Sequence, residues 1–235
     1  MKVAIIPARG GSRRIPKKNI KFFCGKPIIG WTIDIVKKSK IFDKIIVSTD
    51  DKSISLIAKK YKAEVPFIRP NKLGNDKVGT LDVVAHAVSW LQSKGYKPFE
   101  VCCIYPTAPL LQKKDLINSL KDLRSKKWEY IFSATTFGPS IYRSFTKNKK
   151  EKLKVVFSKK INKRSQDLEQ AYHDAGQFYW ATAKTWLSKK KIFSKKSKIA
   201  LLPRWRVQDI DVMDDWKKAE IIFRLLKKKG NNIKL

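Results

Sequence analysis

Three cysteines in 235 residues, two of them adjacent at Cys102 and Cys103, exclude a disulfide framework and give no zinc-ligand spacing. Neighbouring side chains of a strand project to opposite faces, so this pair is expected to point apart. No run approaches the roughly 18 apolar residues of a membrane helix, and no charged and then apolar leader opens the chain. The expectation is a soluble, cytoplasmic, reduced protein with no membrane partner. Two phosphate-binding signatures are missing too. The glycine-rich stretch near the N-terminus has neither the Walker spacing G-x-x-x-x-G-K-[ST] nor the dinucleotide fingerprint G-x-G-x-x-G, so neither of those chemistries is implied. No internal repeat and no long low-complexity linker is visible.

Acid is scarce. Against 53 Lys and Arg stand 20 Asp and Glu, a net charge of +33, with an isoelectric point near 10.1. Such a surplus is the footprint of a polyanion binder, and a basic nucleic-acid-binding module is the alternative reading of this chain. The distribution argues against it. Forty-three of the cations are Lys, scattered over every expected helix and loop, a pattern that a coding bias toward lysine accounts for. The arginines cluster instead: Arg9, Arg13, Arg14, Arg69, Arg143, Arg164, Arg204 and Arg206 fall in or beside the stretches singled out below. A planar guanidinium grips phosphate and carboxylate in bidentate fashion, which suits a small anionic substrate.

What the chain does have is an apolar run, Val3 to Ala8, that breaks at once into Arg9-Gly10-Gly11-Ser12-Arg13-Arg14-Ile15-Pro16-Lys17-Lys18-Asn19. This reads as a buried strand delivering a loop to an anion: two glycines allow close backbone approach, and Arg9, Arg13 and Lys18 supply charge. A tight turn with solvated cations has the same composition. Further along, apolar runs at Asp43–Asp51, Ala63–Ile68, Val101–Tyr105 and Tyr130–Thr135 alternate with helical patterns at Pro27–Lys38, Ser53–Tyr61, Thr80–Gln92 and Lys113–Ser125. That alternation predicts an α/β fold with a mostly parallel central sheet and helices on both faces. Ligands of such sheets bind beyond the carboxyl ends of the strands, which places the Arg9 loop, Ser48-Thr49-Asp50, Arg69-Pro70 and Pro106-Thr107-Ala108-Pro109 on one rim. Thr80 is expected to cap its helix, and His86 to be a satisfied core or interface histidine.

From Phe137 to Gln170 the pattern turns lysine-rich and weakly periodic, with a strand only at Leu153–Phe157. The segment 137–174 is expected to be an insertion within a single domain spanning 1–235, a lid, a mobile loop or a dimer contact. Order returns in the aromatic strand Ala175–Ala181, whose Trp, Tyr and Phe suit a core. Arg204 to Asp211 reads as extended chain, followed by an amphipathic helix from Asp214 to Lys228.

Asp209 and Asp211, two apart in that stretch, would share one face of a strand while Ile210 packs on the other. Such a pair suits a hard divalent cation, because magnesium takes one or two carboxylates together with phosphate oxygens and water. Strand-end residues that cap the next helix would look the same. His173-Asp174 is either an acid/base or metal pair or a turn in which Asp174 caps backbone, and Arg164-Ser165-Gln166-Asp167 suits either a sugar acid or a solvated loop.

Together PARGGSRRIPKKN, STDD, RPNKLGNDKVGT, YPTAP and QDID, in that order over nearly the whole chain, resemble the cytidylyltransferases that activate acidic sugars, the group of the CMP-sialic acid and CMP-KDO synthetases. EVPFIRP, VVAHAVSWL, RSQDLEQAYHDAGQFYW and RWRVQDID look most like the branch acting on pseudaminic acid, a bacterial nonulosonic acid. The resemblance implies a Rossmann-like nucleotidyltransferase fold and a homodimer in which the irregular segment reaches the partner subunit. It implies CTP and a nonulosonic sugar acid as substrates, magnesium as cofactor and no nucleic-acid partner. By the resemblance, Arg9, Gly10, Gly11, Ser12, Arg13 and Lys18 hold the triphosphate, Asn19 meets the nucleotide, and Arg69 and Thr80 read cytosine. Tyr105, Arg164, Gln166 and Tyr179 lie near the sugar acid, Asp209 and Asp211 match the metal pair, and Arg9, Lys18 and Asp211 carry catalysis. The chain departs from the pattern after QDID, where Val212-Met213 stands in place of an expected Thr, which leaves the capping of the last helix open.

Overall fold

The computed structural model describes residues 1–74 and 78–232; the centre of the RPNKLGNDKVGT stretch, 75–77, lies outside the described residues. The chain opens with β1 (Lys2–Pro7), a small hairpin of β2 (Phe22–Phe23) and β3 (Lys26–Pro27), α1 (Ile28–Ser39), β4 (Lys44–Ser48) and α2 (Lys52–Lys60). It continues through α3 (Thr80–Ser93), β5 (Glu100–Ile104), α4 (Lys113–Arg124) and β6 (Tyr130–Thr136). A second hairpin, β7 (Phe145–Lys147) with β8 (Leu153–Val155), precedes β9 (Tyr172–Thr182), α5 (Ala183–Leu187), β10 (Ser197–Leu201) and α6 (Met213–Asn232).

Six strands form the central sheet in the order β10-β6-β9-β5-β1-β4. The pairs β1/β4, β1/β5 and β10/β6 are parallel. Only β9 runs against its neighbours, antiparallel to both β5 and β6. The sheet is therefore mostly parallel, as the alternation predicts.

Period-two alternation sorts the core into two layers. Ala4, Ile6, Cys102, Phe178 and Trp180 face α1, α2 and α4, meeting Ile29, Ile33, Ala58, Leu116 and Leu120. Val3, Ile5, Cys103, Tyr179 and Ala181 face α3 and α5, meeting Val84, Val88, Leu91 and Trp186. Cys102 and Cys103 thus part to opposite faces, both fully buried, and burial raises the pKa of each thiol. A third cluster packs Ile15, Phe23, Ile28, Ile210, Trp216 and Phe223 between the first hairpin and α6.

Three local expectations change. Residues 63–68 make only two isolated parallel bridges, Ile46 to Glu64 and Thr49 to Ile68, because Pro66 at their centre has no N–H to donate. Thr80 is the first residue of α3 and its cap is Gly79. Asp209 to Asp211 is irregular chain, with a single turn at Arg204–Arg206 before it. The last helix nevertheless finds half of a capping box: Asp215 in its first turn reaches back and accepts the N–H groups of Asp211 and Val212 at 3.1 and 3.0 Å, whereas a Thr at the N-cap would have accepted N–H groups of the first turn itself. Asp51 likewise caps α2 by accepting the Ile54 N–H at 2.9 Å.

Candidate active site

A cleft of about 350 Å³ opens at the carboxyl ends of β1, β4 and β5. Its walls include Arg9, Ser12, Arg13, Arg14, Lys18 and Asn19 from the glycine-rich loop, Arg69, Thr80 from the start of α3, Tyr105, and Asp211. Five cations facing one half-exposed carboxylate make a strongly electropositive basin.

The loop is shaped by specific contacts. Gly10 donates its N–H to Asp50 Oδ1 at 2.9 Å, and a Cβ there would stand 2.8 Å from Asp51 Oδ2. Glycine at this position therefore answers to the β4–α2 connection rather than to an anion. Gly11 is different: nothing lies within 4 Å of where its Cβ would be, so its backbone is open to close approach. Asn19, buried, donates from Nδ2 to the Arg9 carbonyl at 2.9 Å and braces the loop from within. Lys17 takes a left-handed φ of 51° and turns the chain so that Lys18 Nζ donates to the Ile210 carbonyl at 2.5 Å and reaches Asp211 Oδ1 at 3.4 Å.

Ile210 is a peg in the third cluster, and it fixes the two aspartates on either side of it. Asp211 pairs with Arg14 at 2.8 Å as well as with Lys18. Asp209 lies against Gly176, whose Cβ would come within 3.5 Å of the Asp209 carboxyl. Gly176 has a φ of 59°, a left-handed value that glycine adopts without cost. Burial, then the neighbouring Asp211, raises the Asp209 pKa, with Asp174 and Asp215 adding to the effect and Lys18 opposing it. Acidic groups therefore converge at a corner beside the basic cleft, whose wall includes Asp211 while Asp209 lies behind it. Among the described residues no three His, Cys, Asp or Glu side chains form a complete metal cage, so an ion at this corner would need ligands from a substrate or water.

Arg69 is almost fully buried. It donates to the Ser48 carbonyl, to Ser48 Oγ at 3.1 Å and to the Leu73 carbonyl at 3.5 Å. Desolvation lowers its pKa. Its first role is to tie the end of β4 to the turn at Asn71–Leu73, and three of its five N–H donors go to that task among the described residues. Thr80, released from capping, shares a 2.9 Å hydrogen bond with the Tyr105 hydroxyl. Tyr179 lies behind Tyr105, ring centroids 5.4 Å apart, and its hydroxyl donates to Asp174 Oδ2. Asp174 also accepts the Gly176 N–H at 3.0 Å, so it caps local backbone, while His173 stays exposed with Nδ1 2.9 Å from the Asp174 carbonyl.

Not every expected residue arrives. Arg164 and Gln166 sit on an exposed turn away from the lining of the cleft, with Arg164 bonded to its neighbour Asp167 at 3.2 Å. Arg206 is buried in a bidentate pair with Asp115 and has a structural role. His86 packs edge-on to Phe67, but its buried Nδ1 meets no partner among the described residues. The sequence counts Arg14 among the clustered arginines but gives it no site role, and it carries no signal for the Thr80–Tyr105 contact, whose partners are twenty-five residues apart.

A family model described as "Cytidylyltransferase" matches residues 3–226. Pseudaminic acid cytidylyltransferase of Campylobacter jejuni is 42% identical over 223 residues, covering 95% of this chain and 96% of that protein. CMP-N,N'-diacetyllegionaminic acid synthase of Legionella pneumophila is 30% identical, covering 95% and 96%. Among solved structures, a CMP:2-keto-3-deoxy-manno-octonic acid synthetase complexed with CTP aligns over 96% of this chain and 99% of that one, with a TM-score of 0.70 at 13% identity. That likeness establishes the Rossmann-like nucleotidyltransferase fold. By the family match over nearly its whole length, and by its identity to these relatives, the chain belongs to the cytidylyltransferase family.

Proposed function

We propose that this chain transfers the cytidylyl group of CTP to pseudaminic acid, releasing pyrophosphate. The observation that carries the reading is the basic cleft itself: Arg9, Arg13, Arg14, Lys18 and Arg69 converge on it, with Asp211 at its edge. The identity to the Campylobacter jejuni relative supports the choice of sugar acid. In this reading the anomeric hydroxyl attacks the α-phosphorus, the bridging bond to the β-phosphate breaks, and the hydroxyl proton is released. Such transfers depend on positioning and charge stabilisation more than on covalent chemistry. Arg9, Ser12, Arg13 and Lys18 hold the triphosphate, and Arg9 and Lys18 offset the charge that grows on the departing pyrophosphate. Asn19 keeps the loop in shape, and Thr80 with Tyr105 lines the base and sugar side.

Magnesium fits the donor set. Two carboxylates beside the basic cleft, one with its pKa raised by burial and then by its acidic neighbours, form a corner whose charge a divalent cation relieves. Asp209 and Asp211 would hold the ion, which when bound neutralises and polarises phosphate oxygens. Exposed Phe145, Leu153 and Val156 on the β7–β8 arm support a homodimer built through that arm, with the enzyme working in the cytoplasm.

The test is pyrophosphate release from CTP with a panel of pseudaminic, legionaminic, N-acetylneuraminic and 2-keto-3-deoxyoctonic acids. Turnover should be fastest with pseudaminic acid. A different preferred acid would reassign the substrate. Polynucleotide binding that weakens steeply with salt, with no pyrophosphate from any acid, would overturn the reading altogether.

A further inference from the structure

Gln177 is 2% exposed, and its carboxamide oxygen has no hydrogen-bond partner among the described residues. Buried acceptors without partners are rare in folded proteins, and each asks for an explanation. The neighbouring polar groups have their partners elsewhere. The Tyr179 hydroxyl goes to Asp174, the Tyr105 hydroxyl pairs with Thr80, and the Gln177 and Phe178 N–H groups both go to Ser133 Oγ.

The position of Gln177 is informative. The β5/β9 register pairs Ile104 with Phe178, and the Tyr105 N–H donates to the Gln177 carbonyl at 2.9 Å, so Gln177 stands directly opposite Tyr105. Paired residues of antiparallel strands share a face, and since β5 pairs Cys103 with Tyr179 and carries Tyr105 on that same face, Gln177 is placed there too. On one side of Gln177 is Tyr105, which lines the cleft. On the other is Gly176, the residue that Asp209 leans against. Gln177 itself lies behind the cleft wall rather than in it, so a substrate that reaches its carboxamide has to enter between these two landmarks.

We infer that Gln177 is a specificity-determining residue whose carboxamide oxygen accepts a hydrogen bond from an N–H or O–H donor of the sugar acid. The inference rests on the cytidylyltransfer reading above and deepens it. A site built to satisfy a substrate donor discriminates strongly against a partner that cannot supply one.

The test compares wild type with Gln177→Met, similar in volume and without an acceptor, and with Gln177→Glu, which keeps one. For each, kcat/KM is measured separately for CTP and for N-acylated and nitrogen-free sugar acids, beside a thermal melt. Gln177→Met should melt no lower than wild type, because the acceptor it removes has no partner to lose. It should leave the KM for CTP unchanged and lower kcat/KM for the sugar acid by about 10- to 100-fold, and Gln177→Glu should recover part of that loss. A loss confined to N-acylated acids identifies the donor as an amide N–H, and an equal loss on all acids identifies a hydroxyl. Sugar-acid kinetics of Gln177→Met within about twofold of wild type would overturn the inference while leaving cytidylyl transfer intact. A Gln177→Met that fails to fold, with Gln177→Glu no better than an inactive control, would make the residue structural and overturn it as well. A wild type that releases no pyrophosphate with any acid would remove the reading on which the inference depends, and the inference with it.

Discussion

Replacing Arg206 by Met should destabilise the protein without touching CTP use. Its guanidinium meets Asp115 in two parallel hydrogen bonds of 2.6 and 2.9 Å, and the two side chains are only 3% and 7% exposed. Asp115 also accepts the Gln112 N–H at 3.0 Å at the start of α4. The pair therefore fastens the turn at Arg204–Arg206 to that helix. Removing one partner of a buried ion pair strands the other charge, at a cost of about 3–5 kcal/mol. For a chain of this size each kcal/mol lowers Tm by about 2–4 °C, so a fall of about 6–20 °C is expected. Urea unfolding and a thermal melt measure the stability, and KM for CTP below the melting range measures the site. The double variant Arg206→Met with Asp115→Leu should regain much of the loss, since an apolar pair of similar volume often replaces a buried ion pair at no net cost. A loss under about 1 kcal/mol, or a raised KM for CTP in a stable variant, would refute the structural assignment and return Arg206 to the anion-binding set.

Three further outcomes are expected. Asp211→Ala should abolish CMP-sugar formation with an intact fold, checked by circular dichroism beside the pyrophosphate assay; retained turnover would remove Asp211 from the metal pair. Arg9→Ala should lower the rate with CTP by about 10² to 10³, the cost of one lost oxyanion donor, and an unchanged rate would make the loop no more than a turn. Asp209 has a folded pKa raised above its unfolded value, so its contribution to stability is fully present below the unfolded pKa and is withdrawn as pH climbs from about 4 through the folded value. Without added metal, Asp209→Asn should therefore gain stability relative to wild type over that rise, and parallel stability curves in acid titration would contradict the crowded corner.

How much of this was legible in the chain depends on the range of the interaction. The two-layer sorting of Val3 and Ile5 against Ala4 and Ile6, and of Cys102 against Cys103, is written in a period of two. The cationic loop stands in one continuous stretch, and its Arg9, Ser12, Arg13, Arg14 and Lys18 line the cleft. Pro66 was in plain view, but its missing N–H matters only once the neighbour β4 is known. Asp209 and Asp211 share a corner for another reason than strand geometry: Ile210 is buried between them, which depends on α6 and the first hairpin closing over it. Arg206 looked like its surface relatives because nothing near it in sequence reveals Asp115, ninety-one residues away. The reversal of β9 is likewise a matter of partners, and its own aromatic residues would read the same in either direction.

That reversal has a consequence for how the molecule can change. In a wholly parallel sheet, residues reach the ligand rim only where strands end, each from its own connection. Because β9 runs the other way, it brings its beginning to the rim, and the arm of residues 137–171 leads straight into Asp174, Gly176 and Gln177. The wall beside Asp209 is thus encoded in one contiguous cassette with the arm, apart from the loop after β1. Exchange of that cassette between relatives would alter what enters beside Asp209 while leaving the cationic loop unedited, so the fold permits a new acceptor to evolve, or be engineered, in a single replacement.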